Sequence, residues 1–155
     1  MSRIPEVIAA LVALARADPA FAPGGDSDGV TVADGPEVTD DAAPDWLIVG
    51  FDGDPTGDFE AAQSAAEAVG LGTSREEQFQ ITVAAVANRG DDDVVAARAR
   101  AAEIGERVTA WLRESPSLGL DGLEAGIGGT RLVLDQTEQG AQARVLLTVA
   151  GRGFI

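Results

Sequence analysis

Residues 76–88 (EEQFQITVAAVAN) and residues 93–114 (DVVAARARAAEIGERVTAWLRE) decide the fold of this chain. Phe79, Ile81 and Val83 in the first stretch alternate with polar neighbours, which is the period-two pattern of a β-strand. In the second stretch, apolar residues recur at every third or fourth position, which predicts a long amphipathic helix. The apolar stripe of that helix consists of Val94, Ala97, Ala101, Ile104, Val108, Trp111 and Leu112. At about 1.5 Å per residue, this helix is long enough to cross a sheet.

End signals bound this helix and a second one near the N-terminus. Acidic residues 91–93 offer N-caps and favour the positive end of the helix dipole, and Pro116 follows the last turn. The earlier amphipathic helix is predicted over residues 4–17, with Ser2 as a cap and Pro19 after its end. The chain therefore has two predicted helices, one at its start and one between its strands.

Four further strands are indicated by alternation or by compact apolar runs between turn residues. They are Val30–Val32, Trp46–Phe51, Leu123–Gln136 and a last strand that includes Ala143–Val149. A polar segment from Glu37 to Pro44 separates the first two, and a turn at residues 137–140 joins the last two. Glycines at 126, 128 and 129 interrupt the third strand and predict a β-bulge or a close backbone approach.

Residues 52–75 allow two interpretations. The Ala- and Glu-containing part from Phe59 to Val69 suits either a short helix or one arm of a long hairpin. Residues 70–74 read as a turn, and a clear strand follows it. The sequence therefore favours the hairpin.

These elements predict an α+β fold in one domain spanning residues 1–155. The predicted order is α-β-β-β-α-β-β, with a possible extra hairpin arm in the 52–75 insertion. We expect a small antiparallel sheet with the two helices packed on one of its faces.

The composition limits the chemistry that the chain can perform. Its 155 residues include no His, Cys, Tyr or Lys, and its 11 basic residues, all Arg, face 26 acidic ones for a net charge of −15. The usual general base near neutral pH, the thiol nucleophile and the Schiff-base amine are therefore missing. An acidic chain also disfavours binding to nucleic-acid phosphates. These features predict a structural or binding protein, with no enzyme activity and no cofactor.

The loop at residues 52–58 (DGDPTGD) is the best candidate for a cation site. Asp52, Asp54 and Asp58 place three carboxylates on one compact loop, which is what Ca²⁺ or Mg²⁺ prefers. However, Gln63 stands where a calcium loop carries its bidentate Glu. The alternative interpretation is a solvated, acid-rich turn.

The last hairpin carries the candidate subunit contacts. Arg131, Arg144 and Arg152 concentrate cationic charge there, and the chain ends on the apolar pair Phe154 and Ile155. In so acidic a protein, these residues are expected to contact a neighbouring subunit. The alternatives are local pairing with acids, which contributes little energy, and docking of the two apolar residues on the chain's own core.

Several segments together resemble one known family. They are the helix IPEVIAAL (4–11), VADGP (32–36), LIVGFDGDP (47–55), the long Arg/Ala/Glu helix, and the terminal hairpin with RL (131–132) and DQTEQGAQARV (135–145). Taken in this order, the segments resemble the tail-terminator or minor tail proteins of long-tailed bacteriophages and prophages of GC-rich bacteria. The resemblance covers nearly the whole chain.

This resemblance implies a homo-oligomeric ring, commonly a hexamer, that caps the head-proximal end of the tail tube and ends tube polymerisation. The implied partners are other copies of the chain, the tail tube protein and the head–tail connector. DNA would pass through the channel without specific binding, and no membrane is involved. The implied location is the tail or neck of the virion, assembled in the host cytoplasm.

Three other functions remain open at this point. The chain can be another neck or tail-completion protein. It can be a divalent-cation module that uses the 52–58 loop. It can also be a small-ligand-binding α+β module, which predicts an enclosed apolar pocket under the long helix near Trp111.

Overall fold

The computed structural model describes residues 1–36, 43–138 and 140–155. The helices are α1 (Ile4–Ala17) and α2 (Val94–Glu114); the strands are β1 (Val30–Asp34), β2 (Asp45–Val49), β3 (Ala62–Ala68), β4 (Arg75–Arg89), β5 (Leu123–Thr137) and β6 (Gly140–Phe154). Most of the polar segment predicted before β2, and Gln139 of the predicted last turn, lie outside the described residues. Neither described helix is long and apolar enough to cross a membrane.

Six strands form one mixed sheet with the order β1-β2-β4-β6-β5, and β3 pairs with β4 beside this path. Together with the two helices, this is the predicted α+β fold. One strand departs from the expected antiparallel sheet, because β1 runs parallel to β2. A tight hairpin joins only antiparallel strands, so the parallel pairing of β1 with β2 requires a longer connection between them.

The 52–75 insertion forms the predicted hairpin arm. β3 pairs antiparallel with the first half of β4, from Ala62 opposite Ile81 to Ala68 opposite Arg75. β2 and β3 follow the same edge of β4 in succession, because Gly50 N donates to Thr82 O (2.7 Å) and Thr82 N donates to Ala61 O (3.0 Å). Residues 51–60, here named the excursion, therefore leave and rejoin a single sheet edge.

Both helices cover one face of the sheet, as predicted. The side chains that alternate along β4 on this face are all buried, and they are Phe79, Ile81, Val83, Ala85 and Ala87. They form one apolar cluster with residues of both helices, such as Leu11 and Ile104. At Gly105, α2 lies so close to β6 that an added Cβ would stand 3.4 Å from Val145 Cγ1.

The predicted bulge is present in β5. The pairing register with β6 shifts between Ile127 and Gly129. A Cβ added at Gly128 would lie 2.8 Å from the Cβ of Ala150, closer than two carbons can approach. The glycine is therefore needed because the bulged backbone passes directly over β6.

A buried carboxylate ties the two helices together. Asp18, at the end of α1, accepts hydrogen bonds from Arg107 Nε (2.9 Å) and Trp111 Nε1 (2.8 Å) of α2. Burial raises the pKa of Asp18, but the bonds from Arg107, Ala20 and Trp111 outweigh it and leave the pKa lowered. The ion pair with Arg107 thus fixes where α1 ends against α2.

A second buried carboxylate holds the start of α1 on the sheet. Glu77 of β4 accepts a 2.6 Å hydrogen bond from the backbone N–H of Arg3. Burial raises the pKa of Glu77, and hydrogen bonds from Ser2, Arg3 and Ser64 more than offset this, so the pKa is lowered. A carboxylate at the positive end of a helix is also favoured by the helix dipole.

Asp18→Asn is expected to lower the free energy of unfolding at pH 7 by about 1–3 kcal/mol, because it removes the charge from a buried hydrogen-bonded group. Since a lowered folded-state pKa means that the unfolded chain takes up the proton first, this stabilisation is present above about pH 4 and is lost as the pH falls through the folded-state pKa. Denaturant unfolding at several pH values should show a shallower acid dependence in the variant. Asp121→Asn, at an exposed site, is the control, and equal acid dependence in wild type and Asp18→Asn would contradict the assignment.

Candidate functional site

The three aspartates proposed for a cation site each stabilise their own turn. In each case the Oδ1 atom accepts a hydrogen bond from the backbone N–H two residues further on. The bonds run from Asp54 N to Asp52 (2.9 Å), from Thr56 N to Asp54 (2.9 Å) and from Glu60 N to Asp58 (3.0 Å). The backbone and hydroxyl bonds from Thr56 lower the pKa of Asp54. Within the described ranges, no three acidic residues are grouped so that they could hold a metal ion. The geometry matches the solvated-turn interpretation, and Ca²⁺ or Mg²⁺ binding stays a prediction.

The excursion lies across the sheet face opposite the helices, here named the open face. A Cβ added at Gly53 would stand 3.4 Å from Val86 Cγ2 and 3.7 Å from Ile48 Cδ1, both on this face. Phe51 stacks on Phe59 with ring centroids 5.2 Å apart. Phe51 is buried, but Phe59 is 56% exposed. The excursion thus covers apolar residues of the open face and leaves one aromatic ring at the surface.

Arg144, one of the residues predicted to contact a neighbouring subunit, anchors the excursion within its own subunit. Its Nη1 donates a 2.8 Å hydrogen bond to the backbone oxygen of Asp52, and its side chain is half-buried beneath Gly53. A change at Arg144 would therefore act first on the excursion. Its effect on any neighbouring subunit would be indirect.

The other predicted contact residues are exposed along the last hairpin. Arg131 forms no ion pair with any residue in the described ranges. Arg152 pairs with Glu124 at 3.4 Å, with both side chains largely in water, which contributes little stability. Phe154 and Ile155 are both exposed rather than docked on the chain's own core. Arg131, Phe154 and Ile155 are thus free to meet a partner.

A shallow groove of about 200 Å³ separates α2 from β5. It is lined by Arg98, Ala102, Gly105, Glu106, Thr109, Thr130, Leu132, Val145 and Leu147. Leu132 is 49% exposed, and Leu134, two residues further along the same face of β5, is 44% exposed. Arg98, like Arg131, makes no ion pair within the described part of the chain. This groove, hereafter the α2–β5 groove, combines exposed leucines with an unpaired cation.

Sequence reasoning missed this groove, although a signal for it exists. Arg98, Ala102 and Gly105 recur at helical spacing on the side of α2 that flanks the apolar stripe. The small side chain of Ala102 leaves space beside the helix, and Gly105 lets the helix approach β6 closely. That β5 would be the strand across this space depended on a long-range pairing, which helix periodicity does not reveal.

A second, larger groove of about 680 Å³ lies on the open face between β3 and β5. Its lining includes the side-chain amides of Gln63, Gln78 and Gln80. Small residues such as Gly126 and Ala150 form part of its walls. The exposed pair of Glu124 and Arg152 also lines it. Amides donate and accept hydrogen bonds but do not transfer protons near neutral pH. The amides of this groove can therefore hold a ligand by hydrogen bonds, whereas Glu124 is the one lining residue of this groove with a carboxylate.

The space beside Trp111 is filled by protein. Phe21 packs edge-on against the indole with ring centroids 6.1 Å apart, and Asp18 accepts from its Nε1. The enclosed pocket expected near Trp111 for a small-ligand module is therefore not formed at these two sides of the ring. The polar partner of the Trp111 indole is thus Asp18 of the same chain. Sequence reasoning did not predict this role of Asp18.

Most of the remaining arginines are used inside the subunit. Asp45, at the start of β2, binds Arg89 Nη1 (2.7 Å) and Arg100 Nε (2.9 Å). Burial lowers the pKa of Arg100, and its bonds to Asp45 and Glu103 outweigh this and raise it. Arg98 and Arg131 at the β5 side, like Arg75 and Arg113 elsewhere, form no ion pair within the described residues.

Comparison with known proteins gives no family for this chain. It matches no protein-family model and no curated protein sequence. The resemblance to phage tail proteins therefore rests on the sequence motifs alone.

Arg144→Ala should loosen the excursion without unfolding the sheet. Loss of a charged hydrogen bond to a backbone carbonyl is expected to cost about 1–2 kcal/mol and to speed hydrogen exchange at amides 52–58. Hydrogen-exchange mass spectrometry measures both local and global effects. Arg152→Ala, at the exposed pair, should leave exchange in this segment unchanged, and equal protection in Arg144→Ala would contradict an anchoring role.

Proposed function

We propose that the chain is a structural protein of a phage or prophage particle, a tail terminator. It forms a homo-oligomeric ring on the head-proximal end of the tail tube, ends tube polymerisation and presents a surface to the head–tail connector. A related neck or tail-completion role requires the same kind of ring at a neighbouring position.

The observation that carries this proposal is that the two sides of the sheet expose chemically different residues. One side, at β2 and β3, exposes the acidic and aromatic excursion, with Asp58, Phe59 and Glu60 in water. The other side exposes Leu132 and Leu134 of β5, together with Arg98 of α2 and Arg131 of β5, which form no ion pair within the described residues. Different, complementary sides on one subunit suit head-to-tail contacts, which generate rings when the rotation closes.

The charge of the chain also suits a channel for DNA. Its net charge is −15, and many of its acids lie at the surface. A negatively charged wall repels phosphates, so DNA can pass without being held. Ring subunits with this charge need apolar contacts and local arginines to associate, which is what the β5 side provides.

Light scattering over a concentration series, with negative-stain images of the same fractions, tests the proposal. We expect closed rings of about six subunits with a central hole, because head-to-tail contacts close through a fixed rotation. Added to growing tubes of the tail tube protein of the same particle, the protein should stop elongation from one end. A chain that stays monomeric and also fails to bind tube ends would reject the proposal.

A further inference from the structure

We infer that the segment Asp58-Phe59-Glu60 of one copy docks into the α2–β5 groove of the next copy. This inference rests on the proposed ring and specifies the contact that builds it. The segment is named here the Phe59 segment. Both surfaces are exposed in the single subunit, and they face a partner that is identical to the chain itself.

The two surfaces cannot meet within one subunit. The Phe59 segment lies just before β3, on the side of the sheet where β2 and β3 flank β4. The α2–β5 groove lies beyond β6, on the opposite side. Contact between them must therefore be made by two copies. Because the two surfaces differ, the contact is head-to-tail. A pair of copies therefore keeps a free Phe59 segment at one end and a free α2–β5 groove at the other.

The chemistry of the two surfaces is complementary. Phe59 presents an aromatic ring that is 56% exposed, between two exposed carboxylates. The groove presents Leu132, with Leu134 beside it, and the unpaired guanidinium of Arg98. An aromatic anchor in an apolar groove with charged residues at the rim is the arrangement of an interface hot spot.

The shape of the groove suits one aromatic side chain. Its volume is about 200 Å³, and Gly105 and Ala102 leave the helix side without bulk. The Phe59 ring is also held in place before binding, because it stacks on buried Phe51 at 5.2 Å. A preorganised anchor loses little side-chain entropy when it docks. One acid, Glu106, also lines the groove and opposes the carboxylates of the segment.

Phe59→Asp and Leu132→Asp each remove one of the two surfaces at an exposed position, so both variants should fold. Each is expected to raise the dissociation constant of self-association by about 30-fold or more, the loss typical of a hot-spot residue. Sedimentation velocity measures the association. Leu71→Asp, at a fully exposed apolar residue in the β3–β4 turn, adds the same charge elsewhere and should assemble as the wild type does.

Mixing the two variants gives the decisive result. Phe59→Asp keeps an intact groove and Leu132→Asp keeps an intact Phe59 segment, so an equimolar mixture should form a 1:1 dimer and nothing larger. Ala102→Phe, which fills the groove from within, should also stay monomeric. Glu106→Gln removes the opposing acid and should tighten assembly.

The other outcomes separate this contact from the proposed function. Variants that assemble like the wild type, or a mixture that gives no dimer, would overturn the contact and leave the proposed ring standing. A wild-type chain that stays monomeric at every concentration would overturn the contact. Open filaments that the same variants abolish would support the contact and reject the ring.

Discussion

The continuous pairing of β4 with β6 is the constraint on which the rest of the structure depends. The two strands pair from Glu76 opposite Phe154 to Arg89 opposite Ala141, along nearly the whole of both strands. This pairing leaves β4 one free edge, which β2 and β3 divide between them. It leaves β6 one free edge, which β5 occupies. The excursion, the helix-covered face and the two unlike sides of the sheet all follow from this division.

Three buried carboxylates then fix the helices on this sheet. Asp18 joins the end of α1 to α2, Glu77 joins the start of α1 to β4, and Asp45 joins β2 to α2 through Arg100. Each carboxylate gains several hydrogen bonds, which compensate for its removal from water. Apolar packing alone is non-directional, so these directional bonds fix the positions of the helices along the sheet.

The sequence predicts those parts of the fold that depend on local pattern. The periodicity around Phe79 predicted β4, and that around Ile104 predicted α2. The glycines at 126, 128 and 129 predicted the bulge in β5. The parallel pairing of β1 was not predicted, because strand direction depends on a connection that carries no periodic signal. The same limit applies to the site: the sequence predicts Arg131 and Arg144 alike as subunit contacts, but Arg131 is exposed and Arg144 anchors the excursion. The partner of an arginine is set by tertiary contacts, which the sequence does not display.

The use of arginine alone in the ion pairs has a consequence at alkaline pH. A guanidinium keeps its proton above pH 12, whereas a lysine in the same place would lose its charge. With no His, Cys, Tyr or Lys in the chain, no side-chain type present has an ordinary pKa between about 4.5 and 12. The bonds from Arg107 to Asp18 and from Arg100 to Asp45 thus persist across this interval. These ion pairs are therefore insensitive to base until arginine itself loses its proton, and they break only in acid.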